Sequence, residues 1–76
     1  MKFVFTIDRL EHHGMRKLRY GKPGHTGMGV AEIFSCGNRY TAWVALSSRI
    51  SEHITLTDAR RWAEESFLDA IGQVKA

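Results

Sequence analysis

Two hydrophobic spacings divide this chain: a two-residue alternation up to about residue 55, then intervals of three and four from residue 57 onward. In KFVFTID (2–8), Phe3, Phe5 and Ile7 share one side, and Val4, Thr6 and Asp8 share the other. Alternation with aromatic and β-branched content predicts a half-buried strand. EHHG (11–14) reads as a turn in which Gly14 is free to take positive φ. MRKLRY (15–20) reads as the returning strand, with Arg16, Leu18 and Tyr20 opposite Met15, Lys17 and Arg19. VAEIFS (30–35) and RYTAWVAL (39–46) flank Cys36-Gly37-Asn38, a hairpin signal between two β-rich runs. RISEHIT (49–55) supplies a short further strand in the fuller reading, with Ile50 and Ile54 on one face.

The second period predicts a helix that starts near Thr57. Thr57 is placed to cap it, and Asp58 sits where the helix dipole favours negative charge. Ala59, Trp62, Ala63, Phe67, Ala70, Ile71 and Val74 form an apolar stripe. Arg60, Arg61, Glu64, Glu65 and Asp69 cover the opposite side, with i, i+4 pairs Arg60–Glu64 and Arg61–Glu65, and Gly72 marks a fraying end. The expected fold is α+β: a three- to four-stranded antiparallel sheet with one C-terminal helix packed on one face, in the order β-β-β-(β)-α. Trp62 and Phe67 are expected to pack on Phe3, Phe5, Phe34 or Trp43. Nothing in the pattern covers the other sheet face, which is left for water, a second copy or a partner.

At 76 residues the chain makes a single compact domain over 1–76. So short a chain buries only about 60% of the surface that it exposes unfolded, which gives a thin core and favours binding on a face or loop. One cysteine, Cys36, rules out an intramolecular disulfide. No apolar run approaches the ~20 residues of a membrane span, and Asp8 and Arg9 interrupt MKFVFTIDR too early for a signal peptide. A cytoplasmic protein without membrane contact is expected. Charge is uneven along the chain: residues 1–49 hold eight basic and three acidic side chains, residues 50–76 three basic and five acidic. A basic front suits an acidic partner or head-to-tail self-association.

The densest cluster of unusual residues is GKPGHTGMG (21–29). It is not a phosphate-binding loop: Gly21-Lys22 is followed by Pro23, Arg16 stands where the first glycine of a P-loop belongs, and a strand follows instead of a helix. The dinucleotide fingerprint fails as well, because Glu32 occupies the third glycine position. GKPG matches the G-x-x-G loop of KH domains, which joins two helices rather than strands. The segment reads as a flexible connection between strands, or as a protruding loop whose Lys22 and His25 touch an anionic partner. His12, His13, His25, His53 and Cys36 show no metal-ligand spacing, and Cys36 has no base beside it in sequence. Glu64 and Glu65 lie beside arginines on the solvated helix side. No catalytic residue, metal or cofactor is assigned, and the expectation is a non-enzyme.

The best surface is the basic stretch with its neighbouring aromatics. Arg16, Lys17, Arg19, Tyr20, Lys22, His25 and Arg39 form the candidate partner-binding set, with Tyr40 and Trp43 nearby. A protein complex is the first expectation for the partner. An RNA or single-stranded nucleic acid, held by phosphate attraction and base stacking, is the second. Homodimerisation through a sheet edge is a further expectation.

Three resemblances bear on this. AEIFSCGNRYTAWVAL…TLTDARRWAEESFLDAI is similar to the second half of double-stranded-RNA-binding domains, without their first helix and with Asp58-Ala59 in place of paired lysines. TLTDA resembles the helix start of small HicB-type antitoxin domains, without their Pro-Gly-Cys strand end. The whole chain, read as a complete small reading frame from Met1 with no reactive site, looks like the compact accessory proteins of phages and mobile elements, anti-CRISPR inhibitors among them. That likeness implies a stoichiometric inhibitor or adaptor that occludes a host nucleic-acid-handling complex.

Overall fold

The structure, a computed structural model, describes residues 2–9 and 13–75, with side chains up to residue 72. Glu11 and His12 of the expected turn and the stripe position Val74 lie outside the described side chains. Five strands follow one another, β1 (Val4–Ile7), β2 (Met15–Gly21), β3 (Met28–Cys36), β4 (Arg39–Val44) and β5 (Arg49–His53), before helix α1 (Leu56–Lys75). Each strand pairs antiparallel with its neighbour in the order β1-β2-β3-β4-β5, a simple meander. The α+β class with one C-terminal helix stands. The count of three to four strands becomes five, because both MRKLRY and RISEHIT are paired. The second of these is made possible by a tight turn after β4, where Ser48 takes φ +58 and its N–H reaches the Val44 carbonyl at 2.8 Å.

The β3–β4 hairpin closes with Gly37-Asn38 between the paired residues Cys36 and Arg39. Gly37 holds φ +63, the positive angle that the first central position of a tight hairpin turn demands. Between β2 and β3 the register slips by one, so that Leu18 faces Ala31 while Arg19 faces Gly29. Val30 is the extra residue of this bulge, and both Val30 and Ala31 turn into the core as a result.

Helix α1 starts two residues earlier than its sequence signal. Thr55 rather than Thr57 is the cap: its Oγ1 accepts the Asp58 N–H at 3.1 Å, satisfying a donor that the first turn leaves over. The helix crosses the face made by Phe5, Leu18, Ile33, Ala42 and Val44, and Ala59, Ala63 and Ala70 let its backbone approach closely. Phe67 closes the core toward β1 and β2, with its ring 6.1 Å from Phe5 and 5.2 Å from Tyr20. The helix pair Arg60–Glu64 forms at 2.6 Å, and Arg60 Nη2 also donates to the Phe5 carbonyl at 3.4 Å.

Two packing expectations are corrected. Trp62 rests beside β5, with its ring 5.7 Å from His53 and 5.7 Å from the Arg49 guanidinium. Phe34 and Trp43 take no part in the helix-side core, because register places them on the opposite face from Ile33, Ala42 and Val44.

Candidate docking surfaces

Register sorts the seven sequence-predicted residues into three groups. Arg16, Leu18 and Tyr20 share the helix side of β2, and Lys17 and Arg19 share the open side with Met15. Tyr20 is half-buried, ringed by Phe3 at 5.3 Å, Phe5 at 4.6 Å and Phe67 at 5.2 Å. It therefore packs in the aromatic cluster on the helix side. Arg16 is half-buried too; its Nη1 donates to the Asp8 carbonyl at 3.3 Å and to the Arg9 carbonyl at 2.8 Å, so it ties down the segment after β1.

Lys17, Arg19 and Arg39 do reach the open face, each with an acidic neighbour. Arg19 Nε lies 3.5 Å from Asp8, Arg39 lies 3.8 Å from Glu52, and Lys17 stands directly across from Glu32 in the register. Arg19 and Arg39 are thus ion-paired, while the Lys17 chain runs over Gly29, its Cδ 3.0 Å from where a Cβ would stand.

Lys22 and His25 are left at the tip of the β2–β3 connection, both exposed. That connection is built, not slack. Lys22-Pro23-Gly24-His25 forms a turn in which the His25 N–H donates to the Lys22 carbonyl at 3.1 Å and Gly24 takes φ +83. Proline in second place and a positive-φ glycine in third are the requirements of a type II turn. Below it, Gly21 and Gly27 pinch the neck. A Cβ on Gly21 would fall 2.7 Å from the Gly27 Cα, and Gly27 itself holds φ +80. The flexible connection read from sequence is thus corrected to a stalk with a shaped tip. Among the described residues neither Lys22 nor His25 has an ion-pair partner.

Beside Trp43, which the sequence reading set near the candidate surface, the open face carries Met15, Phe34 and Ile50, which it did not. Met15 is paired with Phe34, and Trp43 with Ile50; Phe34 and Trp43 are diagonal neighbours across β3 and β4. An apolar band thus crosses four strands, with Phe34 40% and Ile50 65% exposed. Nothing local in RISEHIT signals this. Arg49, Ser51 and His53 are in phase with Val44, Ala42 and Tyr40, which sends Ile50 outward against the apparent logic of its hydrophobicity.

Two clefts flank the helix. One of about 450 Å³ is lined by Ile7, Leu56, Thr57, Arg60, Arg61 and Glu64, and the Arg60–Glu64 pair leaves the Arg61 charge on its wall. The other, about 300 Å³, is bounded by Met28, Val30, Leu46, Phe67 and Ile71 and offers no ionisable side chain. Cys36 and His53 end their strands at the opposite end of the sheet from His25, so the sulfur and the tip imidazole do not meet. No group of three or more metal-ligating side chains converges among the described residues, and no helix there is long and apolar enough to cross a membrane. Compared with known proteins, the chain matches no family model, no curated protein and no solved structure.

Proposed function

We propose that this chain is a non-enzymatic binding domain, a stoichiometric inhibitor or adaptor that docks on a host nucleic-acid-handling protein complex in the anti-CRISPR manner. The observation that carries this reading is the shaped tip, which holds the Lys22 cation and the His25 ring on a turn set by Pro23, Gly24 and the pinched Gly21/Gly27 neck. A binding loop already held in its bound shape loses little conformational freedom on docking, which raises affinity without further contacts. Its unmatched positive charge suits an acidic pocket on the partner.

Charge pairing favours protein over nucleic acid as the partner. Of the cations beside the exposed aromatics, Arg19 and Arg39 are each paired with a carboxylate, and Glu32 sits between Lys17 and Trp43 in the register. A strand of phosphates laid on this face would meet Asp8, Glu32 and Glu52 as well as the cations, losing much of the attraction that drives such binding.

The test is capture of intact host complexes on the immobilised chain, with and without nuclease, followed by titration of the captured complex's activity. The reading expects nuclease-resistant capture, inhibition saturating at one chain per site, and at least a tenfold loss of affinity in the Lys22→Glu, His25→Glu double variant. Partners that vanish with nuclease, with binding that falls log-linearly in salt, establish the nucleic-acid alternative instead. Full affinity in the double variant removes the tip from the contact.

A further inference from the structure

We infer that the open sheet face is the interface of a two-fold dimer, in which two copies of this chain stack face to face as a β-sandwich. The first observation is where the bulky side chains lie. Among the described residues the helix-side core holds ten buried apolar residues, five of them alanine, and its largest fully buried side chains are Leu18, Ile33 and Val44. The strands place Met15, Phe34, Trp43 and Ile50 on the uncovered side. A sheet with large apolar residues on its open side as well as under its helix is half of a two-sided layer arrangement, and a domain this small gains most from completing it.

Charge supplies the second observation. A second copy is the one partner certain to carry the same charges, and a face of single sign would repel itself. This face does not: Arg19 with Asp8, Arg39 with Glu52 and Lys17 opposite Glu32 balance within each copy. Arg19–Asp8 and Arg39–Glu52 lie toward the margins of the apolar band, while Glu32, on the central strand between Lys17 and Trp43, lies within it. The band runs diagonally, Met15 to Phe34 to Trp43 to Ile50, which suits the roughly 30° offset of aligned sheet packing.

Area is the third. Five strands about 4.8 Å apart, and about six residues long at roughly 3.3 Å per residue, make a face of roughly 24 by 20 Å. Two such faces remove roughly 1,000 Å² from water when counted as flat, and side-chain relief carries this toward the ~1,200–2,000 Å² of specific interfaces. The tip with Lys22 and His25 lies at the end of the strands, outside the stacked faces, so each copy keeps its own docking loop. The dimer stands or falls independently of what that loop binds.

The experiment is sedimentation velocity and light scattering on the full chain from about 5 to 200 μM, with the variants Phe34→Glu and Ile50→Lys checked for folding by far-UV circular dichroism. A mass twice the 8.7 kDa of one chain is expected at the high end. Either variant is expected to weaken association at least a hundredfold while keeping the fold. Phe34 lies on the central strand β3, so a dimer joined through the edge strands β1 or β5 survives Phe34→Glu, and that survival overturns the inference. A wild-type chain that stays monomeric at 200 μM overturns it too. Should Phe34→Glu not fold, Ile50→Lys, at a position 65% exposed, and the emission of Trp43 in a Trp62→Phe background decide. A red shift of that emission on dilution is expected, and an unchanged spectrum counts against the interface.

Discussion

Replacing Gly21 by alanine puts a methyl group where there is no room, whereas the same change at Gly24 puts one into open space at an unfavourable backbone angle. At Gly21 the new Cβ would lie 2.7 Å from the Gly27 Cα and 3.5 Å from its nitrogen. Carbon atoms rest about 3.5–4.0 Å apart, so the neck must open by about 1 Å. The obstacle is backbone, which cannot swing aside as a side-chain tip can. Overpacking of this sort costs about 1–3 kcal/mol, and the upper half of that range applies because the Val4–Gly21 and Tyr20–Met28 pairs loosen with it. At Gly24 nothing lies within 4 Å and φ is +83, so the cost is conformational alone. That penalty is about 1–2 kcal/mol, offset by about 0.4–1 kcal/mol from a stiffer unfolded chain, leaving a net loss of about 1 kcal/mol. A chain of this size has about 4–11 kcal/mol to lose. In urea unfolding at a slope of about 1 kcal/mol/M, Gly21→Ala lowers the midpoint by about 2–3 M and Gly24→Ala by about 1 M, with slopes unchanged. Equal midpoints, or a larger loss at Gly24, would refute the reasoning that the neck is closed by contact rather than by torsion.

Other substitutions separate packing from surface. Tyr20→Ala removes a ring held among Phe3, Phe5 and Phe67 and should cost about 3 kcal/mol by thermal or urea unfolding, while Lys17→Ala on the neighbouring open position should cost less than about 0.5 kcal/mol. Thr55→Ala should lose about 1 kcal/mol, with Thr57→Ala near neutral, because only Thr55 accepts the Asp58 N–H. Phe67→Ala, at a position 4% exposed, should cost about 3–5 kcal/mol, read as loss of cooperative unfolding at 37 °C.

Much of this architecture was legible in the chain. Alternation placed β1, the three-and-four spacing placed the helix, and the Gly-Asn step placed the β3–β4 hairpin, because each is a local consequence of side-chain geometry; the count of five strands went beyond the three to four expected. The division of Arg16, Leu18 and Tyr20 from Met15, Lys17 and Arg19 was legible as well. Which set faces the helix was not, since both sides of β2 mix apolar and basic residues. Tyr20 falls on the helix side, in the aromatic cluster. In RISEHIT the hydrophobic rule itself misleads: pairing with β4 turns the polar residues toward the helix and Ile50 away from it.

By itself, then, the sequence determined the class of fold, the order of its elements and the balance of charge, all properties of near neighbours along the chain. Tertiary structure alone decided three things: the outward turn of the Met15–Phe34–Trp43–Ile50 band, the pairing of Arg19 with Asp8 and of Arg39 with Glu52, and the closed neck beneath Lys22 and His25. Each depends on register between strands, and register is set by which side of the sheet one helix covers. A shift of one residue would send every one of these side chains to the other face.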